Sequence, residues 1–247
     1  MGKTMINAGI GRALTRQGLT PCPFKSQNMS SHSFVTEQGK EMSHSQALQA
    51  KACHLTPDVR MNPILLKPVS HMGSEVFFLG ESQGIIQARE YYQMKSSLRS
   101  GMLAAYDELQ KEYDCMLIEG AGSPAEINLR EGDFVNMGLA RELKAPVILI
   151  GDIDRGGVFA SLLGTQLLLD EEDRQLIKAF IINKFRGDKS LLMPGVEEIE
   201  RRMNLPCLGV VPFVESLDEG TDEEIERWAD VLEEHLDIQR IRDIAGC

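Results

Sequence analysis

The start of the chain holds a tripeptide that is typical of phosphate binding. Gly2, Lys3 and Thr4 match the last three positions of the P-loop motif G-x-x-x-x-G-K-[ST]. In that motif backbone N–H groups cradle the phosphates, the lysine reaches the β- and γ-phosphates, and the hydroxyl ligates Mg²⁺. The alternative is a chance tripeptide that opens a helix. Because the motif's first glycine would fall upstream of Met1, we expect the first half of the loop and the strand before it to be missing.

A carboxylate at the end of an apolar run is the second chemical feature. Glu119 follows Cys115–Ile118 and precedes Gly120-Ala121-Gly122. An acid in this position can serve as an oxygen ligand for Mg²⁺ beside a triphosphate. The alternative is an acid that caps the next helix. Since burial of an unpaired carboxylate is unfavourable, the position favours a functional role.

Two further acids and a guanidinium share a glycine-rich stretch. Asp152, Asp154 and Arg155 follow the apolar run Val147–Ile150 and precede two glycines. They could hold a second metal ion or grip a phosphorylated intermediate. A turn whose ion pairs satisfy one another explains the pattern equally well, so both interpretations stay open.

Amide and ammonium groups also follow apolar runs. Asn183 and Lys184 end the run Ala179–Ile182, and an Asn there could recognise a base edge or a ribose through its paired donor and acceptor. Lys25 and Lys67 could neutralise a transferring phosphoryl group or a substrate carboxylate. The alternatives are a strand-terminating Asn and two solvated lysines.

Continuous apolar runs indicate the strands that must position these side chains. Such runs are typical of parallel strands that are covered on both faces. Helical patterns at 133–143, 158–169 and 195–203 separate them, so we predict a doubly wound, mostly parallel α/β sheet. Ligands bind such sheets at the carboxyl ends of the strands. The four runs are Cys115–Ile118, Val147–Ile150, Ala179–Ile182 and Cys207–Val211.

Shorter elements are predicted in the first half of the chain. The strand before Lys25 contains Pro21 and Pro23, which disfavour a central position in a sheet. The polar stretch 30–40 is predicted to be a loop. Helices are predicted over 4–17, 45–53 and 86–111, and strands over 19–24 and 75–79.

Composition restricts the class of protein. A chain of 247 residues suits one large α/β domain or two small ones. Its formal net charge of −11 argues against a nucleic-acid partner. The five cysteines form no C-x-x-C pair and no metal spacing with histidine. Without a signal peptide or an apolar run of membrane-spanning length, we expect no membrane partner and a cytoplasmic location.

The last segment differs in composition. We expect residues 1–213 to form one domain and 214–247 an acidic helical tail or linker. Thr221 and Glu224 form a capping-box pattern at the start of a helix. Asp237 could cap a second short helix that Gly246 ends.

Several longer motifs resemble the cobyric acid synthase family. They cover roughly residues 2–213 in the family's order, and their length makes them specific. The resemblance is to the N-terminal synthetase domain, a relative of dethiobiotin synthetase in the P-loop class, and it implies a P-loop NTPase fold that here lacks its first strand. The motifs are PFKSQNM at 23–29, MNPILLKP at 61–68, EGAGSPAEINL at 119–129, DIDRGGV at 152–158 and INKFRGD at 182–188.

This resemblance implies an activity. The family amidates four peripheral carboxylates of adenosylcobyrinic acid a,c-diamide in cobalamin biosynthesis, which gives adenosylcobyric acid. ATP would phosphorylate each carboxylate, and ammonia from glutamine would displace the phosphate. A carboxylate is a poor electrophile until it is phosphorylated, and phosphoryl transfer depends mostly on positioning and charge neutralisation. ATP and Mg²⁺ would then be the cofactors and a corrinoid the substrate, and the chain could form a homodimer.

Residue roles follow from the same resemblance. Nucleotide binding would use Gly2, Lys3, Thr4, Asn183 and Lys184, and Mg²⁺ would be held by Thr4 and Glu119. The catalytic set would be Lys25, Asp152, Asp154 and Arg155. The substrate set would be Ser26, Gln27, Asn28, Asn62, Lys67 and Ser123.

Two expectations concern parts of the family pattern that this sequence does not contain. The glutaminase domain is not reached before Cys247, so this polypeptide alone should not hydrolyse glutamine. The incomplete loop should weaken binding of Mg-ATP, which would make the chain an impaired fragment. The alternative is a catalytically dead remnant, or a partitioning-ATPase-like P-loop protein that acts by nucleotide-dependent association.

Overall fold

The computed structural model describes residues 2–69, 73–130, 132–214 and 220–247. Within these ranges the chain divides into two compact units, Met1–Ala13 with Gly122–Cys247 (the first unit) and Leu14–Ala121 (the second unit). The helices are α1 (Lys3–Arg16), α2 (His44–Ala52), α3 (Ala88–Glu112), α4 (Met137–Leu143), α5 (Val158–Leu168), α6 (Glu171–Leu176), α7 (Lys189–Met203), α8 (Asp222–His235) and α9 (Ile238–Ala245). The strands are β1 (Pro21–Phe24), β2 (Gln27–Met29), β3 (Ser33–Val35), β4 (Glu41–Ser43), β5 (Ile64–Pro68), β6 (Ser74–Phe78), β7 (Glu81–Ile86), β8 (Cys115–Ile118), β9 (Val147–Asp152), β10 (Ile177–Phe185) and β11 (Cys207–Pro212).

A parallel sheet organises the first unit. Its strand order is β11-β10-β9, and both neighbours run parallel to β10. The central strand β10 is buried over most of its length, because apolar side chains of α4, α5 and α7 pack with it in one core. The register pairs Asn183 with Asp152 at the carboxyl ends of β10 and β9. The sheet therefore brings two predicted site residues side by side.

The end of the chain folds onto the first unit. The predicted capping box of Thr221 and Glu224 is present at the start of α8, Asp237 caps α9, and Gly246 ends α9 in a left-handed conformation. The apolar face of α8 is buried through Ile225, Trp228, Ala229 and Leu232. A bridge between Gly209 and Leu236 joins the segment after α8 to β11. The helices predicted for this segment are confirmed, while the boundary at residue 213 stays a prediction.

Short strands and one long helix build the second unit. β1 and β8 pair in parallel, with Phe24 opposite Ile118. A second sheet has the order β2-β5-β6-β7, and β3 and β4 form an antiparallel hairpin. The Phe24 ring packs edge-on against Tyr106 of α3, with 5.2 Å between ring centroids. The carboxyl ends of β1 and β8 therefore lie together above a packed core.

The predicted α/β class with parallel strands is confirmed, and several details differ. The stretch 30–40 is not a loop throughout, because Ser33–Val35 forms β3. β2, β7 and α6 were not predicted from the pattern, since each is short and polar. None of the helices in the described ranges combines the length and the apolar character needed to cross a membrane.

Candidate functional site

The start of α1 presents the P-loop tripeptide. Gly2 has a positive φ of +77°, and α1 begins at Lys3. A Cβ atom on Gly2 would lie 2.6 Å from Asn183 Nδ2, so the close approach of the Asn side chain requires glycine here. Lys3 Nζ donates a hydrogen bond of 2.7 Å to the carbonyl oxygen of Gly122. Gly2, Lys3 and Asn183 therefore converge within the first unit.

This helix start suits an anion. The first N–H groups of a helix have no partner within the helix, and the helix dipole adds positive potential there. In the described first turn of α1, no side chain is acidic. Backbone donors and the Lys3 ammonium can thus both serve a phosphate, as they do in P-loops.

Asp152, Asn183 and Lys184 form a hydrogen-bonded group at the carboxyl ends of β9 and β10. Lys184 Nζ lies 2.9 Å from Asp152 Oδ2, and Asp152 Oδ1 accepts from the backbone N–H of Asp154 at 3.1 Å. Asn183 is buried, and its Oδ1 accepts from the Lys184 N–H at 2.9 Å. Burial raises the pKa of Asp152, but the ammonium of Lys184 outweighs it, so this pKa lies below its usual value. The carboxylate is therefore an ionised acceptor at neutral pH.

Asp154 and Arg155 lie on the exposed loop after β9. Asp154 pairs with Arg186 at 3.3 Å, and the Arg186 guanidinium stacks on the ring of Phe213, 3.3 Å from its centroid. Asp152 and Asp154 thus each have a cationic partner from the segment that ends β10. The ion pairs described for these acids come from Lys184 and Arg186, outside the turn, whereas the alternative interpretation had the two acids and Arg155 satisfy one another. A metal or phosphate role for these acids stays a prediction.

Ser123 organises the loop that follows Gly122. Its N–H donates to Glu126 Oε1 at 3.2 Å, and its Oγ accepts from the N–H of Ala125 at 3.2 Å. Asn136 Nδ2 donates to the Ser123 carbonyl oxygen at 3.5 Å. The Ser123 hydroxyl, which is predicted to contact substrate, therefore helps to hold the loop that follows Gly122. The carbonyl oxygen of Gly122 is the atom that accepts a hydrogen bond from Lys3.

A buried charged cluster lies at the carboxyl ends of β1 and β8 in the second unit. Lys25 Nζ lies 2.8 Å from Glu119 Oε1, with 9% and 4% of the two side chains exposed. Gln49 Nε2, from α2, donates to Glu119 Oε2 at 2.6 Å. The sequence predicted Lys25 and Glu119 but missed Gln49. Two glutamines three residues apart on an otherwise apolar helical face, Gln46 and Gln49, were the signal that could have found it.

Asn62 hydrogen-bonds to the backbone beside this cluster. It is 1% exposed, and its Oδ1 accepts from the Ser43 N–H at 3.0 Å. Its Nδ2 donates to the carbonyl oxygens of Lys25 at 3.0 Å and Ile64 at 3.1 Å. The observed contacts of Asn62 thus position backbone; the substrate contact assigned to it stays a prediction.

The polar residues after Lys25 differ in their contacts. Asn28 Nδ2 donates to Ser45 Oγ at 3.0 Å, and the Tyr91 hydroxyl donates to Gln27 Oε1. Ser26 is fully buried, and its Oγ has no hydrogen-bond partner among the described residues. Gln27 and Asn28 lie in β2, where successive side chains point to opposite faces of the sheet.

Lys67 lies at the end of β5 and pairs with an acid that the sequence did not single out. Its Nζ is 2.5 Å from Glu41 Oε2 and 4.9 Å from the ring centroid of Phe77. Burial raises the pKa of Glu41, but the hydrogen bonds from Lys67 and the Ser33 hydroxyl lower it by more, so the pKa lies below its usual value. Lys67 is thus a charged group within a second polar cluster of the same unit.

The donors that could take part in holding Mg²⁺ are few. Within the described ranges no group of three or more His, Cys, Asp or Glu side chains could hold a metal ion. Mg²⁺ commonly keeps several waters and binds through one or two protein oxygens plus substrate phosphates. The Thr4 hydroxyl in the first unit and the Glu119 carboxylate in the second are each oxygen donors of that type, and the Mg²⁺ site assigned to them stays a prediction.

Comparisons with known proteins agree with these features. The family model described as the CobQ/CobB/MinD/ParA nucleotide binding domain matches residues 1–226. The cobyric acid synthase of Clostridium acetobutylicum is 52% identical over 213 residues, 86% of this chain and 43% of its own length. Those of Lachnoclostridium phytofermentans and Yersinia enterocolitica are 48% and 47% identical, each over 98% of this chain and 48% of its own length.

The chain spans about half the length of the curated relatives it matches. The resemblance to cobyric acid synthase is confirmed by these relatives, and the P-loop class by the family match. The chain belongs to the CobQ/CobB/MinD/ParA nucleotide-binding domain family.

Proposed function

We propose that this chain is the ATP-dependent synthetase part of a cobyric acid synthase. It would amidate peripheral carboxylates of adenosylcobyrinic acid a,c-diamide in cobalamin biosynthesis, with ammonia that a glutaminase releases from glutamine. The observation that carries the proposal is the buried Lys25–Glu119 pair at the carboxyl ends of β1 and β8. This pair supports a ligase because ligands bind at the carboxyl ends of parallel strands. A fixed ammonium at that edge can neutralise the negative charge of a phosphoryl group while it is transferred.

The reaction has two steps. In the first, a substrate carboxylate oxygen attacks the γ-phosphorus of ATP, the bond to ADP breaks, and an acyl phosphate forms. In the second, the nitrogen of ammonia attacks the acyl carbon, the C–O bond to phosphate breaks, and inorganic phosphate and a proton leave. The protein's task is mainly to hold the reactants in line and to balance charge, since phosphoryl transfer needs little covalent help.

Lys3 and the start of α1 would bind the nucleotide phosphates, for which the Lys3 ammonium and the N–H groups of the helix start are suited. Asn183 would contact the base or ribose, and Lys184 would hold Asp152 in its ionised form. Thr4 and Glu119 would hold Mg²⁺, which supplies charge neutralisation at the phosphates when bound.

Lys25 would neutralise the phosphoryl group as it moves to the carboxylate. In the structure its ammonium is paired with Glu119, so its position is set before any substrate enters. Fixed charges of this kind act without reorganisation during the reaction. Asp154 and Arg155, on the exposed loop after β9, would serve the acyl phosphate or a second metal ion.

The candidates for contact with the corrinoid in the second unit are Ser26, Gln27, Asn28, Asn62 and Lys67. Ser123 is the candidate in the first unit. Lys67 supports this assignment most directly, because its charged ammonium could pair with a substrate carboxylate in place of Glu41.

The test supplies the nitrogen directly. The chain is incubated with ATP, Mg²⁺, ¹⁵N-ammonium and the a,c-diamide, and the corrinoid is examined by mass spectrometry for ¹⁵N amides. We expect incorporation that depends on ATP and that falls at least about tenfold in Lys25→Met, the loss of a preorganised charge. The matched control, Lys178→Met, changes an exposed lysine and should keep wild-type activity.

A different outcome would favour the partitioning-ATPase type of protein. ATP hydrolysis that proceeds equally with and without the corrinoid, and yields no ¹⁵N amide, would contradict the ligase proposal.

A further inference from the structure

Gln49 contacts the buried carboxylate at the end of β8. Its Nε2 donates to Glu119 Oε2 at 2.6 Å, while Lys25 Nζ lies 2.8 Å from the other oxygen, Oε1. All three side chains are buried. Because each oxygen has its own partner, the carboxylate plane cannot rotate without losing one of these bonds. Gln49 therefore fixes the oxygen that Glu119 presents to Lys25.

The backbone of Lys25 is also connected to α2, through Asn62 and Ser43. Asn62 donates to the Lys25 carbonyl oxygen and accepts from the N–H of Ser43, both at 3.0 Å. Ser43 is the N-cap of α2, the helix that carries Gln49. Lys25 is thus held at its backbone by Asn62 and at its ammonium by Glu119, and α2 connects the two supports.

An amide is the side chain that this position needs. It donates a hydrogen bond without adding charge, so the Lys25–Glu119 pair stays electrically balanced. A glutamate at position 49 would place a second carboxylate against Glu119, and like charges at this distance repel. A leucine would remove a donor from a buried carboxylate oxygen, which is unfavourable because the oxygen has given up water.

Gln46 provides an internal comparison on the same helix. It lies one turn before Gln49 and is equally buried. Its side-chain nitrogen and oxygen have no hydrogen-bond partner among the described residues. The two glutamines share residue type, helix and burial, and differ in their contact with Glu119.

We propose that Gln49 is a positioning residue for phosphoryl transfer. It acts through Glu119, whose orientation sets the place of the Lys25 ammonium. This inference rests on the proposed function, because it concerns the same reaction. A positioning residue of this kind should affect the rate of the bound complex more than substrate binding.

The test compares Gln49→Leu with Gln46→Leu in the ammonium-dependent amidation assay. We expect Q49L to lower kcat about 10- to 100-fold, the usual effect of losing a partner of a site ligand, with KM for the corrinoid nearly unchanged. Q46L should keep wild-type kcat and KM. Equal kcat in Q49L and wild type, or an equal loss in Q46L, would overturn the proposal. Where Q49L does not fold, Gln49→Asn replaces it, and its shorter amide should also lower kcat.

A crystal structure of the variant gives a readout that does not depend on activity. In Q49L the Glu119 carboxylate should rotate and its distance to Lys25 Nζ should change, whereas in Q46L both should stay as in wild type. A carboxylate that keeps its orientation in Q49L overturns the positioning role. If the wild-type chain makes no amide at all, the proposed function fails, and the crystal structure still decides whether Gln49 orients Glu119.

Discussion

The indole nitrogen of Trp228, on α8, donates a hydrogen bond of 2.6 Å to the backbone oxygen of Met5, on α1. α1 is the helix whose first residues are Lys3 and Thr4. Beside this contact, the fully buried guanidinium of Arg12 pairs with Asp222 and Glu226 of α8. The helix that carries the P-loop tripeptide is therefore packed against the last part of the chain, within the first unit.

Arg12 should be important for stability. Replacing Arg12 by Ala removes a fully buried side chain and its ion pairs with Asp222 and Glu226, and we expect a loss of about 2–5 kcal/mol in the free energy of unfolding. Arg227 is an exposed arginine on α8, and Arg227→Ala should change stability by less than about 0.5 kcal/mol. Urea unfolding followed by circular dichroism measures both. Similar midpoints for the two variants would contradict the role of Arg12.

The close packing of α1 against α8 makes a second prediction at Gly9. A Cβ atom there would lie 2.9 Å from Trp228 Cδ1 and would meet Leu232 as well, so Gly9→Ala should lower stability by about 1–3 kcal/mol. Gly164, inside α5, is the matched control, since no atom lies within 4 Å of its added Cβ. Gly164→Ala should raise stability by up to about 1 kcal/mol, the usual preference of a helix for Ala. Thermal unfolding of the two variants should therefore shift in opposite directions, and a shift in the same direction would count against this packing.

Asp152 should stabilise the fold in a pH-dependent way. Its folded pKa lies below the usual value of 3.8, since the Lys184 ammonium outweighs the effect of burial. The stabilisation is therefore fully present above that usual value and is lost as the pH falls through the lower folded pKa. Asp152→Asn should be less stable than wild type at pH 7, and the gap should be smaller at an acidic pH below 3.8, where the carboxylate begins to be protonated. An equal gap at both pH values would be inconsistent with ionisation of Asp152; the exposed Glu197→Gln is the control.

Lys3 should contribute to nucleotide affinity. Its ammonium sits at the start of α1 on an exposed hydrogen bond to Gly122, so Lys3→Ala should change stability little. Calorimetric titration with Mg-ATP should show a weaker Kd by about tenfold, equivalent to one charge-assisted contact. The same titration of Lys178→Ala should match wild type. Unchanged affinity in Lys3→Ala would remove this lysine from the phosphate site.

The sequence predicted the strands of the first unit well because their signal is local. Val147–Ile150 and Ala179–Ile182 are continuous apolar runs, and burial on both faces requires them. The sequence also predicted that polar residues follow the strands at their carboxyl ends. Asn183 and Asp152 were therefore expected at the same edge of the sheet, and they lie in register there.

Other features depend on contacts between distant residues. Neither Arg12 nor Gln49 lies in one of the motifs that the sequence analysis identified. Arg12 has its role through a contact with Asp222 of α8, and Gln49 through a contact with Glu119 at the end of β8. The short strand β3 pairs with β4 through backbone hydrogen bonds, and its three residues are too few to show a hydrophobic pattern that would predict a strand. The partners of Lys67 and Asp154, Glu41 and Arg186, belong to the same group of long-range contacts.

The most direct test of the central claim follows one oxygen atom. The a,c-diamide is prepared with ¹⁸O in its free carboxylates and incubated with the chain, ATP, Mg²⁺ and ammonium, and the released phosphate is examined by mass spectrometry. An acyl phosphate requires that a carboxylate oxygen leave with the phosphate, so we predict one ¹⁸O in phosphate for each amide formed. Phosphate without ¹⁸O, released while amides form or while none forms, would contradict the ligase account.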